Sequence, residues 1–385
     1  MIAKHVRRLA AVFAALAILS TLAIAGGSLK DRIQQKMQTA VARVQAVAAS
    51  GGNPAAHLAL LEKARQQVLA GQAKLAEATL DQALLALSED GQGKGGGQGA
   101  VLPVQDWSNE KVTQLYTTPQ KVKIRGYDGS VMEPFISYDG QVLLFNNANT
   151  EQDTDLHLAR RIGDLEFQYI RVLEETRSDV MEAAPSLDIN GRLYFTSLRE
   201  YFQTKETIFR GQLEGDLVVG IDVIRDQITP ARNGLLNMDV SVSPAGDELY
   251  ISAARFAAGS NTPRESNIQV ARQVNGRFMI DRTSAHLFAK VNSDALEYAP
   301  AISEDGLELY FTRASQLIAK GSQGGKLRIM VARRKNRSAA FEEPRVISAI
   351  SGFVEAPTLT GDLRYLYYHA RDAKGLLSLY RVTRQ

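Results

Sequence analysis

One phrase recurs five times along this 385-residue chain, and nothing else limits its fold as strongly. The clearest copy runs from Glu297 to Thr312: an acid, Pro300, a short apolar strand, the turn Asp305-Gly306, then Leu309-Tyr310-Phe311. Two apolar runs of strand length joined by a residue pair that tolerates positive φ read as a β-hairpin. Other copies begin at Glu133, Ala184 and Glu355, and a degenerate one at Asp239 has Val240 where the others have proline. Aligned on Pro134, Pro185, Val240, Pro300 and Pro357, the copies are spaced by 51 to 60 residues.

That period suits four-stranded propeller blades. A third strand follows each phrase, at 156–160, 207–210, 268–272, 327–333 and 377–381. The first four copies carry a further candidate outer strand, but the fifth stops at Gln385. The β-like stretch from Lys111 to Arg125 can supply the missing strand and close the ring on the last blade, removing its open edge. The expectation is a mainly β chain over residues 104–385, a five-bladed propeller with six blades as the alternative. The phrase, followed by a third strand ending in Ala-Arg, resembles the WD-like β-propeller repeat of TolB and its relatives. Three copies depart from it: the second turns on Asn190-Gly191, the third lacks the proline, and the fifth reverses the turn to Gly361-Asp362. Family members often have six blades. The resemblance implies an exported or periplasmic role in binding and assembly more than catalysis.

The N-terminal part is different in kind. Lys4, Arg7 and Arg8 precede an apolar run over residues 9–25 that ends in Ala23-Ile24-Ala25. This is the pattern of a secretory signal over residues 1–25. The run is also just long enough for an uncleaved anchor, which would tether the chain to a membrane. Both readings place the rest of the chain in the periplasm or outside the cell. Residues 28–88 read as helical, with Ile33, Met37, Ala40, Val44 and Val47 forming one apolar stripe. Asn53-Pro54 starts a second helix, and Gly71 ends or kinks it. Gly71 to Leu84 resembles the second helix of a tetratricopeptide repeat, in one copy and without its closing proline. The expectations for this module are self-packing, self-association or peptide binding. Six of the nine residues from Gly91 to Gly99 are glycine, so a flexible linker is placed at 89–103.

Composition narrows the chemistry. There is no cysteine, which excludes thiol catalysis and disulfides, and the formal net charge is only +3. No basic patch with interleaved aromatics marks a nucleic-acid surface. The five histidines show no metal-ligand spacing, and there is no G-x-S-x-G, H-E-x-x-H or phosphate loop. No cofactor is expected, apart from a structural cation that the channel could take.

The candidate site residues are the acids opening each copy: Glu133, Glu182, Asp239, Glu297 and Glu355. Inner strands of a propeller line its axis, so these acids are expected near one channel mouth. There they would bind a cation or a basic segment of another envelope protein or peptide. Arg199, Arg255, Arg313 and Arg371 follow the second strands at matching offsets, and the competing expectation is that they pair with the acids to lock adjacent blades. The catalytic alternative is a five-bladed glycoside hydrolase or carbohydrate-binding protein, which sets carboxylates around the axis. Trp107, the only tryptophan, lies outside the phrases and weakens that alternative.

Overall fold

The computed structural model describes residues 33, 36–41, 43–44, 55–90, 107, 110–147, 154–230, 235–256, 263–315 and 326–385. The signal or anchor at 1–25 and the glycine run at 91–99 lie outside the described residues. No helix among the described residues is long and apolar enough to cross a membrane. The chain divides into a helical unit and a β unit.

In the helical unit, Ala55–Leu69 and Ala73–Asp90 form a hairpin. It turns at Gly71, whose φ of 77° is open to glycine at little cost. Ile33, Met37, Ala40, Val41 and Val44 of the preceding helix are buried in the same core as Leu58, Leu61, Leu80 and Leu87. Lys36 Nζ fixes that helix to the last one through Glu77 (2.9 Å) and Asp81 (2.7 Å). The hairpin thus shares its apolar face with a helix of its own chain.

The β unit is a five-bladed propeller. Its inner strands are Met132–Ile136, Glu182–Leu187, Leu235–Val242, Leu296–Ile302 and Val354–Leu359. Each inner strand touches the next, and the fifth touches the first, so the ring is closed. The second strands carry the Leu-Tyr-Phe part of the phrase. Tyr194, Tyr250, Tyr310, Tyr367, Phe145, Phe195 and Phe311 are fully buried there. A blade is covered on both faces by its neighbours, so its middle strands read as continuous apolar runs with no alternation.

The segment before the first blade is divided more finely than one closing strand. Val112–Thr113 lies parallel to Arg345–Ile347 at the edge of blade four. Gln120–Lys121 pairs antiparallel with Leu377–Thr383 and serves as the outer strand of blade five. Lys123–Arg125 lies parallel to Glu166–Val172 at the edge of blade one. One strap therefore runs over three consecutive blades.

The proline of the phrase shapes the inner strands. Glu133, Ala184, Ala299 and Ala356, each preceding a proline, have φ between 43° and 53°. The ladder skips register at each of them. The bulge turns their N–H groups away from their own sheet and across the seam. Glu133 N donates to His369 Nδ1 (3.1 Å), Ala184 N to Glu133 Oε2 (3.1 Å), Ala299 N to Asp239 Oδ2 (2.9 Å) and Ala356 N to Thr312 Oγ1 (3.0 Å). Blade three has no such proline, and its seam with blade two is stitched by Val242 N donating to Ser186 Oγ (3.0 Å). The turns after the inner strands are held by a hydroxyl on the turn aspartate, as in Ser303 Oγ to Asp305 Oδ1 (2.5 Å) and Thr360 Oγ1 to Asp362 Oδ1 (2.6 Å). In the reversed fifth turn the positive φ falls on Leu363, at 58°.

The four arginines expected to lock adjacent blades do not do so. Arg199 reaches Glu182 (3.0 Å), Arg313 reaches Glu297 (2.8 Å) and Arg255 reaches Glu265 (2.8 Å), each within its own blade. Arg371 lies over the Phe353 ring. The reason is register: Glu297 stands directly opposite Arg313 on the antiparallel neighbour, so the reach stays inside the sheet. Arginines in or just after the third strands cross the seams instead. Arg161 donates to Tyr367 Oη (2.5 Å), Arg334 to Tyr250 Oη (2.7 Å), Arg381 to Asp164 (2.8 Å) and Arg384 to Glu308 (3.0 Å).

Candidate site at the propeller axis

The five acids fall into two sets, sorted by their distance from the aligned proline. Glu182 and Glu297 stand three residues before it. Their carboxylates are fully buried, 0% exposed, inside their blades. Glu182 accepts from Ser178 Oγ (2.6 Å), Ser197 Oγ (2.8 Å) and Arg199. Glu297 accepts from Ser293 Oγ (2.6 Å) and Arg313 Nε (2.8 Å). Burial raises the pKa of both above the ordinary carboxylate range, against the opposing pull of their arginines.

Glu133 and Asp239 stand one residue before the aligned position and line a cavity on the axis. Ala184, Ala299 and Ala356 occupy the same position in the other blades and line it too, with the four prolines below them. Tyr138, just past the inner strand of blade one, also lines the cavity and donates to Val242 O of blade three (3.1 Å). These blades are not neighbours, so the phenol reaches across the axis. The result is an axial pit of about 40 Å³, room for about three water molecules.

Glu355, two residues before its proline, stands beside the pit. It accepts from Tyr298 Oη and faces His369 Nε2 at 3.2 Å. Because His369 Nδ1 accepts the Glu133 N–H, its ring proton sits on Nε2 and points at Glu355. Burial pushes Glu355 up, but the bonds from His369 and Tyr298 outweigh it and hold the carboxyl below its usual range. Asp239, 4% exposed, moves the other way. Burial and the nearby Glu355 charge push it up to about 6, against the Ala299 N–H and Ser252. Burial and the Glu355 charge also raise Tyr298 well above the usual phenol range, so it stays a donor.

The Asp239 shift has a measurable sign. A folded-state pKa raised from about 4 to about 6 contributes stability that is complete below pH 4 and lost as pH rises through 6. Relative to Asp239→Asn, the protein is therefore expected to lose about 2 kcal/mol between pH 4 and pH 6.5. Urea unfolding of both proteins across that window checks this, and a difference that stays flat with pH would contradict it.

Tyr138, Tyr298 and His369 were not singled out from the sequence. The only available signal was the offset of each acid from its proline, which sorts the buried pair from the axial set. Among the described residues, no three His, Asp or Glu side chains are placed to hold a metal ion.

No family model matches the chain, and no curated protein does. Solved structures similar to it include a TolB from Agrobacterium tumefaciens described as putative, at 12% identity and a TM-score of 0.37, covering 66% of this chain and 74% of that one. A family 117 glycoside hydrolase produced by Zobellia galactanivorans is 12% identical with a TM-score of 0.45, over 70% and 91%. A Bacillus subtilis arabinanase is 13% identical with a TM-score of 0.40, over 66% and 94%. The likeness is one of coarse fold, shared by TolB propellers and glycoside hydrolase propellers alike.

Proposed function

We propose that the propeller is a docking scaffold of the cell envelope whose axial pit takes a basic side chain from an extended segment of a partner protein. The supporting observation is the axial pit and its acidic lining. Tyr138 reaches across the axis, Glu133 and Asp239 sit on the wall, and the ionised Glu355 stands beside them. A pit of this size admits the tip of a lysine side chain, and its charge favours a cation over an anion. The helical unit is proposed to self-associate or to bind a second segment. Export by residues 1–25, or tethering through residues 9–25, places the scaffold at the envelope.

Titration calorimetry with a lysine-rich and a glutamate-rich peptide tests this reading. Binding of the lysine peptide alone is expected, weakened at least tenfold by Glu133→Gln with Asp239→Asn and weakened by salt. Equal binding of both peptides, or of neither, would overturn it.

A second reading is favoured by one observation. Asp239 and Glu355 are neighbouring carboxyls whose acidities are displaced in opposite directions, the arrangement that separates a proton donor from an ionised partner. That reading is a glycoside hydrolase. It requires reducing-end release from arabinan or a related polysaccharide, lost in Asp239→Asn and kept in a folded Glu297→Gln control.

A further inference from the structure

The axial pit does not use one buried base, His157, on the third strand of blade one, Leu156–Gly163. Its side chain is 5% exposed. Nδ1 lies 3.1 Å from Tyr169 Oη, while Nε2 is buried with no hydrogen-bond partner. The ring stacks on Phe145 at 5.1 Å and 12°, and meets the edge of Tyr127 at 5.3 Å. Tyr127 belongs to the turn that leads from the strap strand Lys123–Arg125 into the first inner strand. It touches Phe145 and Tyr169 as well, and donates to Ser130 O (2.9 Å). The ring cluster around His157 therefore holds the last station of the strap.

We infer that His157 is an acid-sensitive pin: its protonation loosens the turn 126–131 and the strand Lys123–Arg125 from blade one while the remaining blades stay closed. The neutral ring can place its one N–H on Nδ1, towards Tyr169 Oη, and leave Nε2 as a bare acceptor. An imidazolium carries two N–H donors, and the Nε2 donor would be buried with no acceptor. The charged and titratable groups around it are Tyr127 on the strap, Tyr169 on the outer strand, Asp155 on its own segment, and Glu174 and Arg177 beyond the outer strand. Burial lowers the imidazole to about 4, assisted by Arg177 and opposed by Asp155 and Glu174. A folded-state pKa depressed from about 6.5 means that stability is complete above pH 6.5 and is lost as pH falls towards 4. This is the opposite sense to Asp239, so the readout must be local.

Native-state hydrogen exchange, corrected for intrinsic rates, supplies it. The reporter is the Lys123 N–H, which donates to Leu165 O, and the control is the Ser243 N–H of blade three, which donates to Glu248 O. Relative to pH 7, opening at Lys123 is expected to rise about twentyfold at pH 5 and about 120-fold at pH 4, with no rise at Ser243, where the Asp239 titration acts in the opposite sense. His157→Phe keeps the stacking and is expected to flatten the Lys123 profile. A parallel rise at Ser243 would mean general acid unfolding and would overturn the inference. So would an unchanged Lys123 profile, or the same rise in His157→Phe. If the variant does not fold, the imidazole titration of the wild type decides: a midpoint at or above 6 sinks the proposal.

Discussion

Arg313→Ala is expected to destabilise the protein by about 3–5 kcal/mol. The substitution leaves the Glu297 carboxylate in the core of blade four with two Ser293 donors and no cation. It also removes the bond from Arg313 Nη2 to Val291 O (2.9 Å). Burial already raises Glu297, so in the variant the carboxyl will take up a proton readily. The cost should therefore be smaller at pH 5 than at pH 8. Replacing both partners, as in Glu297→Gln with Arg313→Met, should recover much of the loss, because the unpaired charge is the larger penalty. Arg199→Ala provides a second instance, since Glu182 is held by Ser178 in the same way. Denaturant unfolding at both pH values measures these differences. A cost below about 1 kcal/mol, typical of exposed ion pairs, would show that the pair does not hold the blade.

The second large effect concerns the strap. A chain beginning at Gly126 lacks the outer strand of blade five and the covering strands on blades one and four. It also lacks buried Tyr116, Val122 and Ile124. At about 1.5–3 kcal/mol for each buried side chain, the loss is about 5–8 kcal/mol, comparable to the whole stability of many domains. The truncated chain is expected to aggregate through the exposed edge of Leu377–Thr383. A peptide covering residues 107–125, added during refolding, should restore a soluble monomer by strand addition. A truncated chain that melts at the full-length temperature without the peptide would show that the strap is dispensable.

Most of the architecture was legible because the phrase combines signals that are each local. Asp-Gly sets a hairpin, an apolar run sets a strand covered on both faces, and a fixed period sets the blade. The strap was legible only as one segment with β character. Its division over three blades depends on pairings such as Gln120 with Arg381, which leave no mark at short range. The acids were found but not sorted. Glu297 and Glu133 look alike as letters, yet the bulge at the pre-proline residue breaks the alternation of faces, so two positions along the strand decide between blade interior and axis. The arginines were misassigned for a related reason. Position in a repeat shows that a residue recurs, whereas its direction depends on strand register and twist. The Ala-Arg endings of the third strands were visible in the sequence; Arg160, in one of them, reaches Asp216 of blade two, and Arg161 and Arg334, each one residue beyond such an ending, also cross seams. Tyr298 and His369 act through partners in other strands or blades and carried no local signal.

The strap also sets the order in which the ring can be completed. Gln120 and Arg381, which bond across the closing seam, are 261 residues apart in the chain. At about 5–20 residues per second, the N-terminal partner is made roughly 13–50 s before its counterpart. Four blades can form from neighbouring sequence in that interval, but the outer strand Gln120–Lys121 has no partner until Leu377–Thr383 is made. Ring closure is then a single non-local step of high contact order, and it should be the slowest phase of folding.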